Sequence, residues 1–167
     1  MGVNRHQDYA YIGNAVPNNL HWLDVKKMRD AGFRIIRSAH YPQDPAFMDA
    51  CDELGMFIIV ATPGWQYWNP EPVFEERILS DIRNMVRRDR NHPSVLLWEP
   101  VLNETAFPES FAQNAYRATH EEYPAPGCYA AIDDKSKGAM GYDVVYTAPK
   151  NEAFYRNAGK SCFTREY

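Results

Sequence analysis

FRIIRSAHYPQDPAFMDACDELGMFIIVATP, residues 33–63, holds a strand, a helix and a second strand in succession. FRIIRSAHYP reads as a strand that runs into a polar end. Asp44-Pro45 then opens a helix, an N-cap followed by proline at the first helical position. Phe47, Met48, Cys51 and Leu54 recur at helical spacing and point inward, and Gly55 is the stop. MFIIVATP follows as the next strand. Its core, Ile58-Ile59-Val60, does not alternate polar and apolar residues, as expected for a strand of a parallel sheet covered on both faces.

The same alternation continues on either side. Upstream, NNLHWLDVKKMRDA at 18–31 places Leu20, Leu23, Met28 and Ala31 on one helical face, with Asn18 or Asn19 as cap and Gly32 as the stop. His21 and Trp22 on this helix read as packing and surface residues. Downstream, a helix from Pro72 carries Phe74, Ile78, Ile82 and Met85 inward and ends before Asn91-His92-Pro93, where the residue ahead of proline disfavours helix. His92 reads as a structural hydrogen-bonding residue. SVLLW follows as a strand, a helix spans about 108–122, and CYAAI, DVVYT and SCFTREY are three further short apolar segments. Strands alternating with helices define an α/β class with a parallel sheet. No Gly-rich phosphate turn follows the first strand, so a (β/α)8 TIM barrel is favoured over a doubly wound sheet.

Composition sets the function classes aside one by one. The 167 residues are 45% hydrophobic and 24% charged with a net charge of -4, as in one soluble globular domain. A pI near 5.7 leaves no basic face for nucleic acid. Arg87, Arg88 and Arg90 close a helix, where cations complement the helix dipole. Cys51, Cys128 and Cys162 are odd in number and widely spaced, which fits small core residues better than a disulfide framework or a metal site. No apolar run is long enough to span a membrane, and the N-terminus lacks the apolar core of a signal peptide. A soluble chain is expected, cytoplasmic or exported; the compartment is left open.

In a (β/α)8 barrel the active site lies at the C-terminal ends of the strands. Here those ends are Asn4-Arg5-His6, then Arg37 to Tyr41, then Pro63 to Trp68, then Asn103-Glu104. Tyr146 follows in DVVYT, and the last strand finishes with Arg165-Glu166-Tyr167. Two carboxylates, Glu104 and Glu166, thus sit at strand ends among His, Arg, Tyr and Trp side chains. Cleaving a glycosidic bond needs one carboxylic acid to protonate the leaving oxygen and one carboxylate to meet the oxocarbenium-like carbon, about 5–5.5 Å apart in a retaining enzyme. A shared barrel rim brings such distant residues together, and Trp65, Tyr67 and Trp68 after the Pro63-Gly64 turn are suited to stack on sugar faces.

GVNRH at 2–6, RSAHYPQDP at 37–45, CDELGMFII at 51–59 and RNHPSVLLW with the following Asn-Glu at 90–104 together resemble the catalytic barrel of glycoside hydrolase family 2, which includes β-galactosidases, β-glucuronidases and β-mannosidases. The resemblance covers nearly the whole chain and implies a retaining double-displacement hydrolysis of β-glycosidic bonds with no cofactor and no metal, β-galactosides being favoured because several motifs sit closest to β-galactosidases. It assigns the acid/base to Glu104, contact with the sugar 2-hydroxyl to Asn103, and the nucleophile to Glu166 in what is left of a Glu-Tyr motif. Arg37 resembles the arginine that holds the nucleophile ionised, and Tyr146 the tyrosine that hydrogen-bonds it. His6 and His40 match histidines lining the sugar pocket, with Trp65 and Trp68 as further substrate-binding residues.

Three departures stand out. The family pattern Trp-Ser-Leu-Gly-Asn-Glu is replaced by Trp98-Glu99-Pro100-Val101-Leu102-Asn103-Glu104, one residue longer and without the glycine, which makes Glu99 a rival acid. Ala61-Thr62-Pro63 stands where many members carry Asp-Glu. A (β/α)8 barrel takes about 250 residues, so residues 1–167 are expected to form an incomplete barrel, from a remnant of strand one to strand seven. The missing strand and the family's β-sandwich domains are then expected partners, and open sheet edges invite self-association. Little turnover is expected of the chain by itself, and a non-catalytic carbohydrate-binding remnant is the alternative function. A metal-dependent hydrolase would usually show His-x-His on one strand, which is absent.

Overall fold

The computed structural model describes residues 1–147 and 159–165. β1 (Gly2–Arg5), β2 (Ile35–Ser38), β3 (Phe57–Ala61) and β4 (Val95–Glu99) pair in that order, all parallel. α1 (Asn18–Asp30), α2 (Pro45–Leu54) and α3 (Pro72–Asp89) are the crossovers between them. After α4 (Glu109–Glu122), β5 (Ala131–Asp133), β6 (Val144–Thr147) and β7 (Ser161–Thr164) form a second parallel set. The sets join at a parallel bridge between Trp98 and Ala130, where the Trp98 N–H donates to the Tyr129 carbonyl at 2.9 Å. The result is the α/β architecture expected, a (β/α)8 wall with seven strands described.

Period-two alternation sorts the strand residues between two cores. Ile59, Leu97, Ala131, Val144 and Tyr146 face inward and pack together as the barrel interior. Their neighbours face the helices: Ile36, Ile58, Val60 and Trp98 meet Val25, Phe47, Cys51 and Met85, and Ile132 and Val145 meet Ile82, Phe111 and Ala115. Both faces are apolar, which is why the strands read as unbroken hydrophobic runs. Cys51 and Cys128 are buried free thiols, pushed up to about 12 and about 11 by burial. Among the described residues β1 and β7 do not pair, which leaves a gap between them. Asn4 Nδ2 donates to the Arg165 carbonyl across that gap at 3.2 Å, and a cavity of about 750 Å³ beneath is lined by Val3, Ile35, Leu96, Val144 and Phe163 among others.

Local signals account for α2 completely. Asp44 accepts from the Ala46 N–H at 2.8 Å, Pro45 occupies the first turn, and Gly55 closes the helix at φ +69°. α1 departs from expectation. Its N-cap is Pro17 without a side-chain bond, and its buried residues are His21 and Val25, with Leu20 and Leu23 half-buried and Ala31 exposed. The reason is tertiary: the buried Arg5 guanidinium reaches His21 Nδ1 at 3.3 Å and Asp24 at 2.9 Å while lying 4.3 Å over the Phe47 ring. Those contacts turn the polar-looking face of α1 inward. His92 is structural as expected: its Nδ1 meets Asp52 Oδ2 at 2.6 Å, and Asp52 Oδ1 accepts the Ser94 N–H.

Candidate active site

The strand ends build the site in two layers. The lower one lies inside the barrel, where Arg37 from β2, Glu99 from β4 and Tyr146 from β6 are all buried. Arg37 donates from Nε to Glu99 Oε2 at 2.7 Å and from Nη2 to Oε1 at 2.5 Å, and the Tyr146 hydroxyl donates to the same Oε1 at 2.5 Å. Burial first, and Glu99 second, hold the Tyr146 phenol well above its ordinary range, so it keeps its proton and donates. Arg37 Nη2 also reaches Asn103 Oδ1 at 3.0 Å, linking this layer to the rim above.

The strand that leads to the rim ends earlier than the sequence suggests. β4 stops at Glu99, and Asn103-Glu104 lie beyond it in the following loop. A parallel bridge between Trp65 and Asn103, with the Gln66 N–H donating to the Asn103 carbonyl at 3.0 Å, fixes that loop against the segment after β3. Glu104 takes a positive φ of +48°, and Gln66 takes +57°. Such a conformation costs a side-chain-bearing residue about 1–2 kcal/mol. It persists where surrounding contacts over-determine it, commonly at functional sites. Here the two strained residues face each other: Gln66 Nε2 donates to Glu104 Oε2 at 2.7 Å, and Arg165 Nη2 lies 3.4 Å from Oε1. The Glu104 side chain remains 38% exposed, open to a ligand.

The other expected residues distribute unevenly. His40 is buried, with Nε2 3.4 Å from Asn103 Nδ2, and its ring meets His6 edge-on at 5.6 Å. Trp65 is half-exposed, 6.1 Å from the His40 ring. These four side chains share the rim with Glu104. Trp68 does not belong with them: it packs against Phe74 and Phe111, centroids 5.4 and 4.8 Å away, as part of the core between α3 and α4. Phe74 and Phe111 give Trp68 partial apolar burial, apart from the His40 and Trp65 rings. Glu166 lies outside the described residues.

Arg165 is the functional-looking residue that sequence reading passed over. Its Nη1 donates to Asn103 Oδ1 at 3.1 Å and its Nη2 lies 3.3 Å from Asp133 Oδ2 as well as beside Glu104, so from the end of β7 it clasps the loop after β4 to the end of β5. Burial raises the Asp133 carboxyl above its usual range, with the Arg165 charge opposing that shift. A groove of about 590 Å³, lined in part by Glu104, Phe107, Asp133, Lys135, Lys137 and Arg165, opens on the outer side of Glu104. The signal for Arg165 was its place at the end of the last strand, beside the glutamate that drew attention. Among the described residues no three His, Cys, Asp or Glu side chains are grouped to hold a metal ion, and no described helix is long and apolar enough to cross a membrane.

Comparison with known proteins gives this geometry a family. A β-galactosidase of Thermoanaerobacterium thermosulfurigenes is 38% identical over 125 residues, covering 74% of this chain and 17% of the relative. One from Thermoanaerobacter pseudethanolicus is 32% identical over 121 residues, covering 72% and 16%. The chain therefore spans about a sixth of the length of these relatives. Among solved structures, an FMN-binding β-glucuronidase from Facaelibacterium prausnitzii superposes with a TM-score of 0.88 over 99% of this chain and 30% of its own, at 22% identity, a likeness of fold. A β-galacturonidase from Eisenbergiella tayi gives 0.82 at 27% identity, over 98% of this chain and 34% of its own. Residues 1–124 match the family described as Glycosyl hydrolases family 2, TIM barrel domain, and the chain belongs to that family.

Proposed function

We propose that this chain carries the sugar-cleaving rim of a retaining β-glycosidase, with β-galactosides as the favoured substrates. The observation that supports this best is Glu104: a half-open carboxyl on a strained backbone, oriented by Gln66 and Arg165, next to an Asn103 whose amide is held by Arg37 and Arg165. In this reading Glu104 protonates the leaving oxygen while Glu166 attacks the anomeric carbon; Glu104 then takes a proton from the water that releases the sugar. Asn103 Nδ2 meets the sugar 2-hydroxyl, and His6, His40 and Trp65 wall the pocket. The galactoside preference rests on the names of the relatives at 38% and 32% identity.

The test is hydrolysis of aryl β-galactosides and β-glucuronides, by this chain and by the longest natural chain that carries it, with the anomer of the first-formed product read by NMR. Retained configuration, faster cleavage of the galactoside and loss of turnover in Glu104→Gln support the proposal. An inverted product contradicts it. The chain's share of its relatives' length favours a second reading, a carbohydrate-binding rim without turnover. Sugar binding that Glu104→Gln leaves unchanged, in a protein without turnover, would support that reading.

A further inference from the structure

Glu99 is a fully buried carboxyl at the end of β4, at the position where the family pattern has serine. Carboxyls are seldom fully buried unless paired. Both of its oxygens are engaged: Oε2 by Arg37 Nε, and Oε1 by Arg37 Nη2 and the Tyr146 hydroxyl, all within 2.7 Å. With no exposed surface left, Glu99 could meet a sugar oxygen only if the side chains packed over it moved. The rival-acid role considered from the sequence therefore does not suit it. What Glu99 does touch is the pair of side chains, Arg37 and Tyr146, that the family resemblance directs toward the nucleophile.

We propose that Glu99 is a positioning residue that sets the orientation of Arg37 and Tyr146 and, through Arg37, of the Asn103 amide beside Glu104. This rests on the β-glycosidase reading above for its catalytic consequence, but its geometric content stands apart from it. Bidentate pairing fixes the plane of a guanidinium as well as its place. With Nε and Nη2 tied to Glu99, the same Nη2 is aimed at Asn103 Oδ1 at 3.0 Å, and Asn103 Nδ2 is left facing His40 Nε2. A serine at position 99 could not span two donors in this way, so the glutamate supplies an anchor that a serine-bearing member must find elsewhere. Glu99 also puts a negative charge inside the barrel. The charged and titratable groups around it are Arg37 from β2, Tyr146 from β6, Asp133 from β5, Arg165 after β7, and His40 and Glu104 at the rim. Glu99→Gln removes one negative charge from the barrel interior, and a more positive surrounding favours the ionised form of a nearby carboxyl.

The experiment compares Glu99→Gln and Glu99→Asp with the natural sequence by two readouts. The first needs no turnover: the Nε–H resonance of Arg37, assigned by its loss in Arg37→Lys, and its protection from solvent exchange. The second is the pH profile of kcat on an aryl β-galactoside in the longest natural chain that carries this sequence. The expected result is a protected Arg37 Nε–H that becomes exchangeable in Glu99→Gln, with partial protection regained in Glu99→Asp. For kcat, a misplacement of the order of 1 Å costs about 100-fold, with KM little changed and the acid limb moved to lower pH in Glu99→Gln alone. Should Glu99→Gln not fold, Glu99→Asp carries the test: it keeps the charge but draws the carboxyl back, so protection and kcat fall while the acid limb stays in place. An Arg37 Nε–H as protected in the variants as in the natural chain, or an unchanged kcat and pH profile, overturns the proposal. If the longest natural chain that carries this sequence cleaves no glycoside, the β-glycosidase reading fails, and the Arg37 resonance still decides the positioning role.

Discussion

Replacing Arg37 by leucine should be among the most damaging single changes this chain can suffer, and the structure says why. Arg37 and Glu99 are both buried, and their side chains retain 3% and 1% of their exposure. In Arg37→Leu, Glu99 Oε2 loses its Nε donor and Oε1 keeps the Tyr146 hydroxyl, while Asn103 Oδ1 still has Arg165 Nη1 at 3.1 Å. The cost is thus concentrated on one uncompensated buried carboxylate, for which about 3–5 kcal/mol is typical. For a chain of this size each kcal/mol shifts Tm by about 2–4 °C, so Tm should fall by roughly 10 °C. The double variant Arg37→Leu/Glu99→Leu removes both charges and, among the contacts described above, leaves the Tyr146 hydroxyl without its Glu99 acceptor, a cost of about 1–3 kcal/mol. It should therefore be more stable than Arg37→Leu alone. Urea unfolding of the natural chain, both single variants and the double closes the cycle. An Arg37→Leu cost below about 1 kcal/mol, or a double variant less stable than the single, would refute the reasoning that this is a buried, mutually dependent pair.

Glu104→Gln should lower kcat on β-galactosides with poor leaving groups by about 10²–10⁴-fold, with sugar binding kept, as read by steady-state kinetics and calorimetry. His21 carries a pH signature: burial first, then the Arg5 charge, hold its imidazole below the usual value. Above that usual value neither state takes up the proton; below it the unfolded chain does so first, so folding stability falls as pH drops from neutral toward 5. Urea midpoints across that range should fall more steeply in the natural chain than in His21→Gln. Gly55→Ala tests the α2 cap. Its φ of +69° with nothing within 4 Å of the added methyl makes the cost one of backbone alone, about 1 kcal/mol by thermal unfolding.

The parts of the fold legible in the sequence are those held by local chemistry. Asp44, Pro45 and Gly55 bound α2 on their own, and Ile78, Ile82 and Met85 mark the buried stripe of α3 without reference to any neighbour. The inward face of α1 is not legible in its own sequence, because Arg5, a residue of another element, sets it and makes His21 a buried ring. The chemistry-bearing strand ends were legible from the barrel rule, since Asn103, Glu104, His40 and Trp65 do share a rim. The placement of β4 relative to that rim was not. Spacing cannot tell whether Glu99 or Asn103 ends the strand; only the parallel pairing of Trp98 and Glu99 with Val60 and Ala61 decides it. Trp68 illustrates a second limit. Three aromatic residues in four positions look alike in sequence, and only the presence of Phe74 and Phe111 half-buries Trp68 while Trp65 stays in the open.

The proposal stands or falls on a division of labour in which Glu104 is the acid/base and Glu166 the nucleophile, with Glu99 anchoring Arg37 and Tyr146. A 2-deoxy-2-fluoro-β-galactoside with a good leaving group forms a slowly hydrolysed glycosyl ester with the nucleophile of a retaining enzyme, and peptide mass spectrometry locates that ester. Applied to the longest natural chain that carries this sequence, it should place the added sugar on Glu166. Label on Glu99 or Glu104, or turnover that leaves no label on any carboxylate, would contradict the account.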